Sequence, residues 1–196
     1  GTVSLRNRII WTYGHGMHSR NRFSGRHETI LWFTKDGADY TFDLDAVRTP
    51  QKYPVKRVSH GPRKGEFSGN PNGKNPSDVW EIPNVKAKHV EKLAHPCQFP
   101  VGLADRLVRA LSKAGDLVFD PYMGTASTGV AALINKRRFV GAEIAQKYID
   151  LAAPRLRAAR DRTVRYRPAE RPIFVAHDGL AVARRPPHFK SGASTP

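Results

Sequence analysis

VFDPYMGTAS, residues 118–127, couples the end of an apolar strand to an acidic residue, a tight glycine turn and the small-residue start of a helix. Val118 and Phe119 read as the last residues of a buried strand, and Asp120 sits where that strand stops. Gly124 allows a backbone conformation that a side chain would oppose. Thr125, Ala126, Ser127, Thr128 and Gly129 are small enough for a helix over residues 127–135 to bring its N-terminal amides close to a bound ligand. About 20 residues beyond the turn, a second strand over residues 138–142 ends in Glu143, where a nucleotide fold carries its ribose-binding acid. The pattern predicts a nucleoside-cofactor site; the bland alternative is a turn that merely joins a strand to a helix.

On either side of the turn the periodicity is helical. After Pro100, the apolar positions Leu103, Leu107, Val108 and Leu111 fall on one face, and Gly115 stops the run. Residues 146–162 place Tyr148, Ile149, Ala152 and Leu156 together, with Pro154 inside the run and Arg155, Arg157, Arg160 and Arg162 towards its end. Towards the N-terminus, residues 6–13 and 29–35 read as strands, separated by a loop rich in glycine, histidine and arginine. The Asp36-Gly37 turn predicts that residues 39–42 pair back as a hairpin. Residues 43–76 lose all periodicity and fill with Pro, Gly, Lys, Arg and Asn, the mark of a functional loop or of a flexible linker. The tail over residues 163–196 alternates basic residues with proline and reads as extended and partly disordered.

The segment EKLAHPCQFPVGLADRLVRALSKAGD (91–116), the glycine turn and GAEIAQKYIDLAAPRL (141–156) together resemble the cofactor-binding half of amino-group DNA methyltransferases. The order of parts resembles the beta class, in which the catalytic motif and the target-recognition region precede the HP-x-x-FP segment, here His95, Pro96, Phe99 and Pro100. The resemblance runs from about Arg6 to Leu156 and implies a doubly wound, Rossmann-like α/β fold in a circularly permuted order. It divides one domain into catalytic-side strands (1–42), a target-recognition loop (43–76), a cofactor-binding part (77–162) and the basic tail (163–196). It implies S-adenosylmethionine as cofactor, with Asp120, Pro121, Tyr122, Gly124 and Ser127 at the turn, Glu143 at the ribose, and Pro96 with Phe99 walling the pocket. SDVWEIPNV (77–85) resembles the stretch leading back to the cofactor side, with Asp78 as a cap or ligand contact. Three positions depart from the family pattern. Tyr122 stands where Phe is usual, Ser127 where Thr is common, and Ala126 where a second glycine is common. The Tyr122 ring has packing under the turn as its structural role, and the Ala126 methyl asks the backbone to keep ordinary dihedrals.

Composition bounds the rest. The 196 residues suffice for one domain with a real core. Thirty-three Lys and Arg against 17 Asp and Glu give a formal charge of +16, which favours a polyanionic partner, nucleic acid above all, over a merely solvated basic surface. Arg20, Arg22, Arg26, Lys52, Lys56, Arg57, Arg63 and Lys64 are the candidates for phosphate and base-edge contacts on double-stranded DNA. No long apolar run points to a membrane, and the single Cys97 with no signal-peptide pattern suits the cytoplasm. Cys97 lacks a partner cysteine and His15 with His18 make a poor zinc site, so no metal is expected. His95 reads as a structural histidine.

The family's catalytic segment, an acidic or polar residue followed by Pro-Pro and an aromatic residue, does not occur in the expected place. The one Pro-Pro, Pro186-Pro187, is flanked by Arg185 and His188, and an arginine cannot accept hydrogen bonds from a target amine. No catalytic residue is therefore assigned, and the resemblance implies that residues before Gly1 or a second chain supply that strand. The expected activity is methylation of adenine N6 in DNA. Cytosine N4 methylation, a non-catalytic DNA-binding module and an RNA methyltransferase are the alternatives.

Overall fold

The computed structural model of the protein describes residues 3–14, 16, 18–35, 37–51 and 56–171. Five strands and three helices follow in the order β1 (Ser4–Thr12), β2 (His27–Thr34), β3 (Val79–Glu81), α1 (Val101–Leu111), β4 (Leu117–Asp120), α2 (Ser127–Ile134), β5 (Arg138–Gly141) and α3 (Gln146–Arg160), with a 3-10 turn at Asp45–Val47. The α/β class expected from the sequence holds. The described strands form two sheets: β1 pairs antiparallel with β2 and parallel with β3, while β4 pairs with β5 in parallel.

Alternation along the strands decides which face each sheet buries. In β1, Ile9 and Trp11 face inward with Trp80 of β3, Ile82 and Leu103 of α1. Val118 of β4 packs into a second cluster formed by Val101, Ala104 and Val108 of α1, Val130 and Ala131 of α2, and Ala159 of α3. Phe99 touches both clusters and so joins the two sheets through α1. The opposite face is bare: Leu31 and Phe33 of β2, Leu117 and Phe119 of β4 and Val140 of β5 are all exposed. Among the described residues, the helical layer therefore covers one side of the strands, whereas a doubly wound sheet is covered on two.

The hairpin expected from the Asp36-Gly37 turn does not form. Residues 39–42 carry no strand, and β2 takes β1 as its partner; Asp36 lies outside the described residues. Aromatic packing takes the place of the ladder. Tyr40 and Phe42 fold onto Trp32 with ring centroids 5.6 and 5.5 Å away, and Arg6 donates to the Tyr40 hydroxyl at 2.6 Å. Gly37, Ala38 and Asp39 have little strand propensity, so side-chain contact outweighs backbone pairing there.

The long aperiodic stretch is tied along its length. Thr49 and Lys74 exchange two backbone hydrogen bonds, Val58 and Ser68 donate to Glu66 and Lys56, and Arg48 donates to Gly73. These bonds make the described residues 49–51 and 56–74 an arm with a smaller turn, residues 56–68, at its end. Part of the tail is also packed: Val164 and Tyr166 lie against the α1–α3 cluster and Arg109 reaches Glu170 at 2.8 Å. Residues 172–196, with Pro186-Pro187, lie outside the described residues.

Where α2 meets β5 and α3, only glycine fits. A Cβ on Gly129 would stand 2.6 Å from both a Leu156 methyl and the Phe139 ring. Gly129→Ala is therefore expected to lower unfolding free energy by about 1–3 kcal/mol through overpacking. Urea titration measures this, and an unchanged midpoint would contradict the packing described.

Candidate cofactor and nucleic-acid site

β4 and β5 run parallel, so their carboxyl ends lie side by side, with Asp120 opposite Gly141. Beyond that pair the chains stay linked: Ala142 N–H donates to the Asp120 carbonyl and Met123 N–H to the Ala142 carbonyl. The turn then bends back on Glu143. Its Oε2 accepts the Gly124 N–H at 3.0 Å, and its Oε1 accepts the Ala145 N–H at 2.9 Å, which fixes the carboxylate against the turn. Asp120 Oδ1 accepts the Tyr122 N–H at 3.0 Å. The two acids expected to share a site thus stand on one ledge of adjacent strand ends. Pro121, Tyr122 and Ile144 are exposed on it, so the ledge opens to solvent.

Gly124 adopts φ +51, as its place in the turn demands. Ala126 corrects the expectation drawn from its methyl group: it is left-handed as well, at φ 59 and ψ 41, and forms the N-cap of α2 with no side-chain cap. A non-glycine residue there costs on the order of 1–2 kcal/mol, which the surroundings must offset. Ala126 is fully buried, and its N–H donates to the Met123 carbonyl at 2.7 Å. Tyr122 also departs from expectation. It is 88% exposed and does not pack under the turn.

The HP-x-x-FP segment closes one side. Ser127 Oγ donates to the Phe99 carbonyl at 2.9 Å, tying that segment to the start of α2. His95 comes closer to the turn than its structural reading implied: a Cβ on Gly124 would stand 3.0 Å from His95 Nε2. The ring packs edge-on against Tyr148 at 4.3 Å, and its Nδ1 accepts the Cys97 N–H at 3.2 Å. Pro96 is exposed beside it. Asp78 is elsewhere; its carbonyl accepts the Ile10 N–H, and it lines a cavity with Trp32, Phe42 and Trp80.

The basic candidates fall on two segments. Arg20 and Arg22 are exposed on the β1–β2 connection, where Arg26 lies 3.5 Å from His18. Lys56, Arg57, Arg63 and Lys64 are exposed on the arm. Arg57 lies over the exposed Phe67 ring at 4.3 Å and donates to Gly65 O, while Arg63 pairs with Glu66 at 2.8 Å. Lys52 lies outside the described residues. Among those residues no helix is long and apolar enough to cross a membrane.

A groove of about 500 Å³ separates β2 from β4. Glu28, Thr29 and Ile30 line one wall, Leu117 and Val118 the other, and Leu103 and Leu107 of α1 form part of its apolar surface. Among the described residues neither β2 nor β4 has a second strand partner, so each leaves one edge unpaired there.

Comparison with known proteins gives the family and the fold. The N6/N4-type family model described as DNA methylase matches residues 1–154. Type II methyltransferase M.BglII of Bacillus subtilis is 48% identical over 147 residues, covering 75% of this chain and 41% of that protein. DNA adenine methyltransferase YhdJ of Escherichia coli (strain K12) is 34% identical over 157 residues, covering 80% of this chain and 53% of that protein. This chain thus spans about half the length of such relatives. In fold it resembles the crystal structure of the M1.HpyAVI–SAM complex, with a TM-score of 0.54 at 23% identity over 79% of this chain and 63% of that one.

Burial holds the imidazoles of His89 and His95 below the ordinary value of 6.5. Glu91 pulls His89 back up and Arg167 pushes it down; Glu143 pulls His95 up against Lys92 and Lys147. The unfolded chain therefore takes up protons more readily than the native one. This part of the stability is present above pH 6.5 and is lost as pH falls below it. Urea midpoints recorded from about pH 7.5 down to about pH 5 should decline, and less steeply in the His89→Gln, His95→Gln double variant. Equal slopes in the two proteins would contradict the burial of these rings.

Proposed function

The chain belongs to the N6/N4 DNA methylase family, and from that premise we propose that it is the cofactor-binding and DNA-facing portion of a site-specific methyltransferase acting on adenine N6. One observation carries the reading: two carboxylates at neighbouring strand ends, Asp120 accepting the Tyr122 N–H and Glu143 the Gly124 N–H, frame an open ledge beside the α2 N-terminus. S-adenosylmethionine fits the donor set. Asp120 offers a carboxylate to its ammonium end, and Glu143 keeps lone pairs free for the ribose hydroxyls after accepting two backbone N–H groups. Ile144, fully exposed directly after Glu143, offers an adenine ring an apolar face. When bound, the cofactor supplies an electrophilic methyl group. The chain's own part is to orient that group and to carry DNA on its basic loops, where Arg20, Arg22, Lys56, Arg57, Arg63 and Lys64 are available to phosphates and base edges. Similarity to YhdJ, a DNA adenine methyltransferase, favours N6 over cytosine N4.

The acidic-Pro-Pro-aromatic segment needs a seat, and the groove between β2 and β4 suits a strand. It offers unpaired backbone at two edges and apolar side chains beneath. A strand there would end beside Asp120 on the same ledge. The relatives' greater length supports a supply of such a strand from further residues of the same protein.

Calorimetric titration with S-adenosylmethionine tests the reading. Heat is expected from the wild type and none from the Asp120→Ala, Glu143→Ala double variant; a silent wild type would favour a non-catalytic DNA-binding module. With labelled cofactor and a polypeptide carrying an acidic-Pro-Pro-aromatic segment, duplex DNA should yield N6-methyladenine. N4-methylcytosine would switch the target base, and preference for RNA at fixed salt would overturn the DNA reading.

A further inference from the structure

Behind the ledge lies a buried polar cluster. The Glu91 side chain is wholly buried, and its oxygens accept the Val101 N–H at the start of α1 (2.8 Å) and the Arg167 N–H (3.0 Å). Arg155 of α3, with its side chain 11% exposed, brings Nη2 to 3.7 Å from Glu91 Oε2. Its Nη1 donates to the Thr125 carbonyl and lies 3.3 and 3.5 Å from the Thr125 and Ser127 hydroxyls. The Thr125 carbonyl belongs to the peptide that enters the left-handed Ala126. Rotation of that peptide would break the bond to Arg155.

We propose that Arg155, held from behind by Glu91, is the positioning residue of the glycine turn, fixing the Thr125–Ala126 peptide so that Gly124 and the α2 N-terminus meet the cofactor preformed. This rests on the cofactor reading for its consequence, though not for its geometry. A guanidinium is suited to the place because its planar fork addresses Glu91 and Thr125 at once, whereas an ammonium is a single point of charge. Removing the cation alone would strand a buried carboxylate, so the informative substitution keeps the charge.

Arg155→Lys should fold, with amide exchange at Gly124 and Ala126 about tenfold faster in the absence of cofactor while the β4 and β5 ladder amides stay unchanged. Its affinity for S-adenosylmethionine should fall about tenfold. Should the lysine variant not fold, the Glu91→Gln, Arg155→Met pair removes the two charges together and gives the same readout. Exchange at the turn equal to the wild type, or a rise spread evenly over β4, β5 and α2, would overturn the proposal. Faster exchange confined to the turn, with no cofactor bound by either protein, would support the clamp and sink the cofactor reading instead.

Discussion

The hydrogen bond from the Gly124 amide to the Glu143 carboxylate organises the rest of the site. It joins the end of one strand connection to the end of the next, and so converts two parallel strands into a single ledge with a defined shape. Such a bond is charge-assisted, worth more than a neutral backbone pair, and it places the acid before any ligand arrives. Parallel strands make this possible because their carboxyl ends coincide; antiparallel neighbours would send the two acids to opposite edges. The small residues that follow are a consequence. Gly129 lets α2 close on Phe139 and Leu156.

A strained turn needs support from outside itself. Ala126 sits in a conformation that an L-residue avoids, and its helix start has no side-chain cap. The offset comes from long-range contacts, with Ser127 bonded to Phe99, Thr125 to Arg155, and Glu91 linking α1 with residue 167. These ties reach four separate stretches of chain, which is why the tail at residues 163–171 packs as part of the body. Burial of Glu91 and Arg155 is unfavourable for each charge alone and acceptable for the pair. The same burial lowers the pKa of Arg155, against the pull of Glu91.

What could be read in the sequence follows from how local each signal is. The strands other than β3, the helices and the glycine turn are legible because period 2, period 3.6 and the Gly124 punctuation are written in consecutive residues. The parallel pairing of β1 with the three-residue β3 was not, since it joins residues about 70 positions apart without a pattern of its own. The pairing of residues 39–42 failed because a turn dipeptide says nothing about aromatic rings that can outweigh a ladder. Arg155 was read as one of a basic run, yet a signal was present. It lies three residues after Ala152 and four before Ala159, both buried, and therefore shares their helix face. Glu91 offered no comparable mark. The sequence around His95 marks it only as structural, because the ring contact with Tyr148 and the approach to Gly124 depend on tertiary packing.

Charge separates the two halves of the proposed activity. Behind the turn and along α1, cations are used internally: the side chains of Arg155 and Arg106 are buried, and Arg109 is spent on Asp105, Ala46 and Glu170. On the loops the exposed cations far outnumber acids, and exposed pairs such as Arg63–Glu66 add little to stability. The chain's net +16, to which these loops contribute, opposes compaction and is relieved when a polyanion neutralises it. Arg57 illustrates the design: stacked on Phe67 and bonded to Gly65, its guanidinium is oriented by the arm while remaining exposed. A prearranged arginine loses less side-chain entropy on meeting a phosphate or a guanine edge than a free one, so the arm's internal bonds serve recognition as well as folding.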